Sequence, residues 1–271
     1  MPCAVMVKER FIISILSGTR MQSYYKARFP ALEVAGLLSM HCKLHRRELA
    51  YEFEGGFARW KSVRDESELR ALFSRQGVQK VHAGAGWSER PSKEASARSD
   101  FETVGRELVF DVDLNDYPLA ELVKDNLSAC DAAWPLAGAA ARMVEKVLRD
   151  SFGFENVLVV YSGRRGCHLH VLDERAFFLD DEARAAIVSY IGPSGKCHSS
   201  GRMFCSSLLE HPSLRPIFEK FALPFFRCWC VKAKEEGGMG ALDSSGQKVK
   251  AIRMLGSQSL QSELEKLAGA C

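Results

Sequence analysis

Between Leu136 and Phe152 apolar residues recur at helical spacing: Ala140, Met143, Val144, Val147 and Leu148 form one stripe, with Arg142, Glu145, Lys146 and Arg149 opposite. Gly153 follows, where a helix closes on a left-handed residue. After a short connection, Val157-Leu158-Val159-Val160-Tyr161 is an unbroken apolar run. Such runs mark strands buried on both faces, and this one is expected to be so buried. A tight turn, Ser162 to Gly166, leads into Cys167-His168-Leu169-His170-Val171-Leu172, where apolar residues alternate. A helix between strands, with the last strand folded back through a turn, requires a mixed α/β layer.

Upstream lies a second strand pattern, Arg106-Glu107-Leu108-Val109-Phe110-Asp111-Val112-Asp113. Side chains alternate faces along a strand, so Asp111 and Asp113 project to one side. Carboxylates that close repel unless a cation sits between them, and such oxygen ligands suit Mg²⁺ or Mn²⁺. The competing reading makes Asp113 the start of a turn with Asn115 and Asp116; spacing alone leaves both open. The turn Ser162-Gly163-Arg164-Arg165-Gly166, with His168 beyond it, is the other informative element. Its glycines let backbone approach a ligand closely, and its arginine forks match phosphate oxygens. With Ser162 and His168 adding polar groups, the set suits a triphosphate; the plainer reading is a solvated basic turn. His168 and His170 share a face, but as a metal pair they are weak evidence. Acids and turn together describe nucleotidyl transfer, in which two metals about 4 Å apart activate a 3′-hydroxyl and stabilise the leaving pyrophosphate. That chemistry is mostly positioning and charge neutralisation.

The bulk properties fit this reading without demanding it. The 271 residues suit one large domain or two small ones, and 46% hydrophobic with 26% charged residues is the balance of a soluble globular protein. A net charge of +3 tolerates a polyanionic partner. The nine cysteines are scattered, no secretory signal is visible, and no stretch approaches the roughly 20 apolar residues of a membrane span. A reducing intracellular compartment, with no membrane association, is expected.

Along the chain, residues 1–30 read as a helical lead-in closed at Pro30, and Arg47 to Trp60 as a pair of short strands around Gly55-Gly56. Glu66 to Phe73 is helical, Val81 to Trp87 passes into a polar loop, and helices are expected at Asp180 to Ile191 and within Ser206 to Phe226. Glu235 to Gln247 reads as a Gly/Ser-rich linker, and Leu260, Leu264 and Leu267 as a last short helix.

Three separated segments resemble the small catalytic subunit of eukaryotic-type DNA primases, in the archaeo-eukaryotic primase family. They are Glu107 to Tyr117, Asp150-Ser151-Phe152-Gly153-Phe154 and Val160 to His168. Tyr24-Tyr25 to Phe29-Pro30, the Arg47-Glu48 strand and Trp87-Ser88-Glu89-Arg90-Pro91 fit the same order, so the resemblance spans roughly residues 20 to 192. It implies a mixed α/β (α+β) primase fold, a mixed sheet flanked by helices, and RNA primer synthesis on single-stranded DNA from ribonucleoside triphosphates. It implies Asp111 and Asp113 as metal ligands, with Glu48 a further catalytic acid. Ser162, Gly163, Arg164, Arg165, Gly166 and His168 match the nucleotide site, and Arg59 a basic residue near it. A large primase subunit, a replicative DNA polymerase and the nucleus are implied as partners and location.

Three departures accompany the resemblance. Relatives carry a cysteine cluster for zinc where only Cys130 remains, and one thiolate cannot hold tetrahedral Zn²⁺, so structural zinc is not expected. No segment matches the family's third metal-binding aspartate with its following lysine and histidine; Asp243 lies within the Gly/Ser stretch. His82 stands where an acid is expected. The chain is accordingly divided into a primase domain, 1–192, and a divergent or truncated region, 193–271. The alternative function is a non-catalytic primase-like subunit that binds nucleotide or single-stranded DNA, or scaffolds the complex.

Overall fold

The computed structural model describes residues 18–114, 127–162, 166–191, 211–222 and 224, with backbone alone at 18–19 and 127–133. Two units, Met1–Arg106 and Glu107–Cys271, each carry their own antiparallel sheet flanked by helices, the mixed class the sequence implies.

The first unit contains α1 (Gly18–Ala27), α2 (Ala31–Leu38), β1 (Arg47–Phe53), β2 (Gly56–Lys61), α3 (Glu66–Gln76), β3 (Lys80–Trp87) and β4 (Thr103–Gly105), with strand order β2-β1-β3-β4. The pair of strands expected around Gly55-Gly56 is the β1–β2 hairpin. Helix α3 starts where Asp65 accepts a hydrogen bond from the Glu68 amide at 2.8 Å, and it ends on left-handed Gly77 at φ 60°. Leu69 and Phe73 on this helix meet Leu49 and Tyr51 of β1, with Tyr25, Leu38 and Val78 closing the core. Tyr25 lies 5.3 Å from Phe73, centroid to centroid, and burial, with Tyr24 beside it, pushes its phenol up to about 12.

The second unit contains β5 (Leu108–Asp113), α4 (Leu127–Phe152), β6 (Val157–Tyr161), β7 (Gly166–Val171), α5 (Glu174–Phe177), α6 (Asp181–Ile191) and a helical segment at 215–222. Strand order is β5-β7-β6 with both pairings antiparallel, so β7 slots between the strands that α4 connects, a split β-α-β unit. Helix α4 begins ahead of the expected Leu136 and runs through Pro135, a residue that removes one hydrogen bond without ending this helix. Gly153, at φ 64°, closes it: the Gly153 amide donates to Arg149 O and the Phe154 amide to Leu148 O, each at 3.0 Å. Leu108, Phe110 and Val112 of β5 pack with Leu169 and Val171 of β7 against Ala137, Ala141, Val144 and Leu148.

One expectation fails. The run Val157–Tyr161 is not buried on both faces: only Val157 is half-buried, and 158–161 are exposed. Among the described strands β7 lies between β5 and β6 and leaves β6 at an edge, and its hydrophobicity reflects strand propensity and a few contacts, such as Trp134 on Tyr161 at 5.1 Å, rather than burial. Most of 193–271, including the Gly/Ser-rich stretch, Asp243 and the Leu260 helix, lies outside the described residues.

Candidate active site

The register of the second sheet decides what shares the face opposite α4. Leu108, Phe110 and Val112 point into the core, which leaves Val109, Asp111 and Asp113 on the other side. Directly across on β7 stand His170, His168 and Gly166, and His168 and His170 face Val160 and Leu158 of β6. The row Asp111–His168–Val160 is closed by a contact of 3.4 Å between His168 Nε2 and Asp111 Oδ1, with the Asp111 side chain 66% exposed. Asp113 sits beside a glycine for a steric reason. A Cβ at position 166 would fall 2.1 Å from the Val112 carbonyl oxygen, so only glycine fits. Ser162, expected as a phosphate-binding hydroxyl, has its proton committed: its hydroxyl and its amide both donate to Gly166 O, each at 2.9 Å. The turn residues Gly163, Arg164 and Arg165 lie outside the described residues. On the core face Cys167 is buried; burial first, and the Asp111 charge second, push its thiol up.

Among the described residues no group of three or more His, Cys, Asp or Glu could hold a metal ion, and the side chain of Cys130 is not among those described. The pair Asp111 and Asp113 still fits a hard divalent cation, because Mg²⁺ is commonly held by one or two carboxylates, water and substrate phosphates. A residue without a sequence signal steadies the acid strand. Buried Arg184 on α6 donates to Leu179 O at 2.9 Å, to Ala176 O and Phe177 O at 3.2 Å, and to Glu107 O, just ahead of β5, at 3.1 Å.

In the first unit, Glu48 and Arg59 are brought together. Glu48 is buried at 3% exposure, and both its carboxylate oxygens are taken: Arg59 Nε donates to Oε1 at 3.0 Å and Trp87 Nε1 to Oε2 at 3.2 Å. The neighbouring strands bulge around it. Arg59 and Trp60 together stand opposite Ala50, and Gly84 and Ala85 opposite Glu48. Trp60 takes up the first bulge at φ 59°, a conformation costing a bulky residue about 1–3 kcal/mol, and its ring lies 4.3 Å beneath the Arg59 guanidinium carbon. Trp87 stacks on Phe101 at 4.2 Å and 13°. A Cβ at Gly84 would fall 2.9 Å from Glu48 Cβ, so any side chain there would push the two strands apart. His82, where an acid was expected, lies 3.6 Å from Glu52, which Lys80 also pairs at 2.9 Å. Trp60 and Trp87 had no signal as site residues in the sequence, because their contacts depend on the two bulges.

A family model described as DNA primase small subunit matches residues 110–227. The DNA primase small subunit of Saccharomyces cerevisiae is 27% identical over 216 residues, covering 78% of this chain and 52% of that protein. That of Drosophila melanogaster is 28% identical over 215 residues, covering 74% and 49%. A Thermococcus kodakarensis DNA primase small subunit is 44% identical over 90 residues, covering 32% and 26%. The chain thus spans about half the length of these two eukaryotic relatives. Among the described residues no helix is long and apolar enough to cross a membrane. By these matches the chain is similar, over part of its length, to the DNA primase small subunits of eukaryotes and archaea.

Proposed function

We propose that this chain carries out DNA-directed synthesis of short RNA primers, as the nucleotidyl-transferring part of a primase small subunit. The observation that supports it best is the single sheet face on which Asp111 and Asp113 stand directly across from His168 and Gly166. Asp111 and Asp113 would hold Mg²⁺ or Mn²⁺, which when bound supplies charge neutralisation at the reacting phosphate. His168, beside Asp111, donates to a phosphate oxygen of the incoming ribonucleoside triphosphate, and Arg164 and Arg165 grip that phosphate chain. Gly163 and Gly166 admit the ligand close to backbone, while Ser162 clamps the turn through its two bonds to Gly166 O. In the first unit, Arg59 offers a phosphate-binding guanidinium of its own, and Glu48 supports it. Single-stranded DNA is read by base pairing with the nucleotide, so the protein needs contacts to the strand's backbone. A primase large subunit, a replicative DNA polymerase and a nuclear location complete the proposal, by the relatives' family; zinc forms no part of it.

The test is primer synthesis by the purified chain on single-stranded DNA with ribonucleoside triphosphates and Mg²⁺ or Mn²⁺, beside Asp111→Ala/Asp113→Ala. Metal-dependent RNA products, lost by at least a hundredfold in the double variant, are expected, on the order of an electrostatic stabiliser's contribution. Nucleotide binding without any product favours the non-catalytic alternative. Neither binding nor product from a folded sample removes the assignment.

A further inference from the structure

We propose that Trp87, acting through Glu48, positions Arg59 to grip phosphate, and that Glu48 is the anchor of this arrangement rather than a metal ligand. The proposal deepens the nucleotide-binding reading above and rests on it. A metal-binding carboxylate needs an oxygen that a cation can reach. Glu48 is buried, with one oxygen taken by the Arg59 guanidinium and the other by the Trp87 indole. Asp111 is the opposite case, a side chain two-thirds open to solvent.

Arg59 is fixed from two sides. Its Nε is tied to Glu48 and its guanidinium carbon lies over the Trp60 ring at 4.3 Å, yet the side chain remains 54% exposed. Its two Nη groups have no recorded partner among the described residues, so a planar fork of N–H donors is held outward. Because Glu48 offsets much of the arginine charge, recognition here is directional hydrogen bonding to paired oxygens, the geometry a phosphate offers. The left-handed Trp60 and the two bulges flanking Glu48 are local departures from a regular sheet that all converge on this side chain. Trp87 holds the far oxygen of Glu48 and is itself held by its stack on Phe101. Trp60 and Trp87 are therefore positioning residues that act through Arg59.

The experiment measures binding of inorganic tripolyphosphate to the purified chain by calorimetry in EDTA, where no metal site contributes. Arg59→Ala is expected to weaken binding about tenfold, the worth of one charge-assisted contact. Trp87→Phe, which keeps an aromatic ring against Phe101 and removes only the N–H donor, weakens it severalfold, and Glu48→Gln does the same. Neither change weakens it further in the Arg59→Ala background. Unaltered affinity in Trp87→Phe and Glu48→Gln, or equal losses with and without Arg59, would overturn the proposal. So would a Mg²⁺ requirement for primer synthesis that shifts in Glu48→Gln, because an anchor moves the KM for nucleotide and not the metal dependence. Wild-type chain that binds tripolyphosphate with this pattern but makes no primer removes the catalytic reading alone. Wild-type chain that binds no tripolyphosphate removes this one.

Discussion

The two units use carboxylates in opposite ways. In the first, Glu48 is buried, every oxygen is bonded and both neighbouring strands are bulged to make room for it. In the second, Asp111 projects from a regular ladder with its side chain 66% exposed and His168 directly across from it. A carboxylate consumed by its own fold contributes architecture, and one left facing water is available to a cation or a substrate. Residue type alone does not separate the two cases. Hydrogen-bond partners and register do.

The contrast extends to the glycines beside these acids, and it gives the largest expected effects. Gly166→Ala forces a methyl group to 2.1 Å from a backbone oxygen of β5, which cannot move without breaking the ladder. A loss of at least about 4 kcal/mol is expected, confined to the second unit and read by amide hydrogen exchange. Gly84→Ala instead meets a side-chain carbon of Glu48 at 2.9 Å. Its cost should be nearer 1–2 kcal/mol, absorbed by a shift at the bulge. Equal costs would show that the bulged sheet is as unyielding as the regular one. Next comes Arg184→Ala, which leaves the carbonyls of Ala176, Phe177, Leu179 and Glu107 without this donor. A loss of about 3 kcal/mol is expected in chemical denaturation, with Arg184→Lys recovering only part of it.

These residues also mark where the sequence was legible. The helix stripe of Val144, Val147 and Leu148, the Gly153 closure and the shared face of Asp111 and Asp113 are short-range periodic signals, and each is where its period puts it. The misreading of Val157–Tyr161 came from a property no local pattern carries: which strand β7 would pair between. The bonding of Arg184, Trp60 and Trp87 was not legible for the same reason, since their partners lie far off in sequence or depend on a bulge. Glu48 was visible as an acid, but its bonding was not. A carboxylate's role is written in the atoms facing it.

A smaller effect tests the central contrast directly. Glu48→Ala strands the Trp87 N–H and frees Arg59, whose exposure lets water take over its part. The expected loss is about 2 kcal/mol, whereas Asp111→Ala should change stability by no more than about 0.5 kcal/mol. Thermal unfolding of the two variants side by side decides it. A destabilised Asp111→Ala would mean that the His168 contact is structural.

The smallest effect separates the units by pH. Among the described residues the carboxyls held below their ordinary range are Glu52, Asp65, Glu68, Glu94 and Asp100, and all belong to the first unit. The first causes are the Lys80 side chain for Glu52, backbone N–H donors for Asp65, Glu68 and Glu94, and the Arg98 side chain for Asp100. A carboxyl lowered in the folded state binds fewer protons there than in the unfolded chain. Its contribution is complete above the unfolded range, about pH 4–5, and is lost as pH falls through the lowered folded values. The first unit should therefore lose hydrogen-exchange protection before the second as pH drops below about 4. Because these groups are at the surface, raising the salt to about 1 M should shrink the difference, since screening then acts within a few ångströms. Simultaneous loss in both units, insensitive to salt, would place the acid-labile interactions elsewhere in the chain.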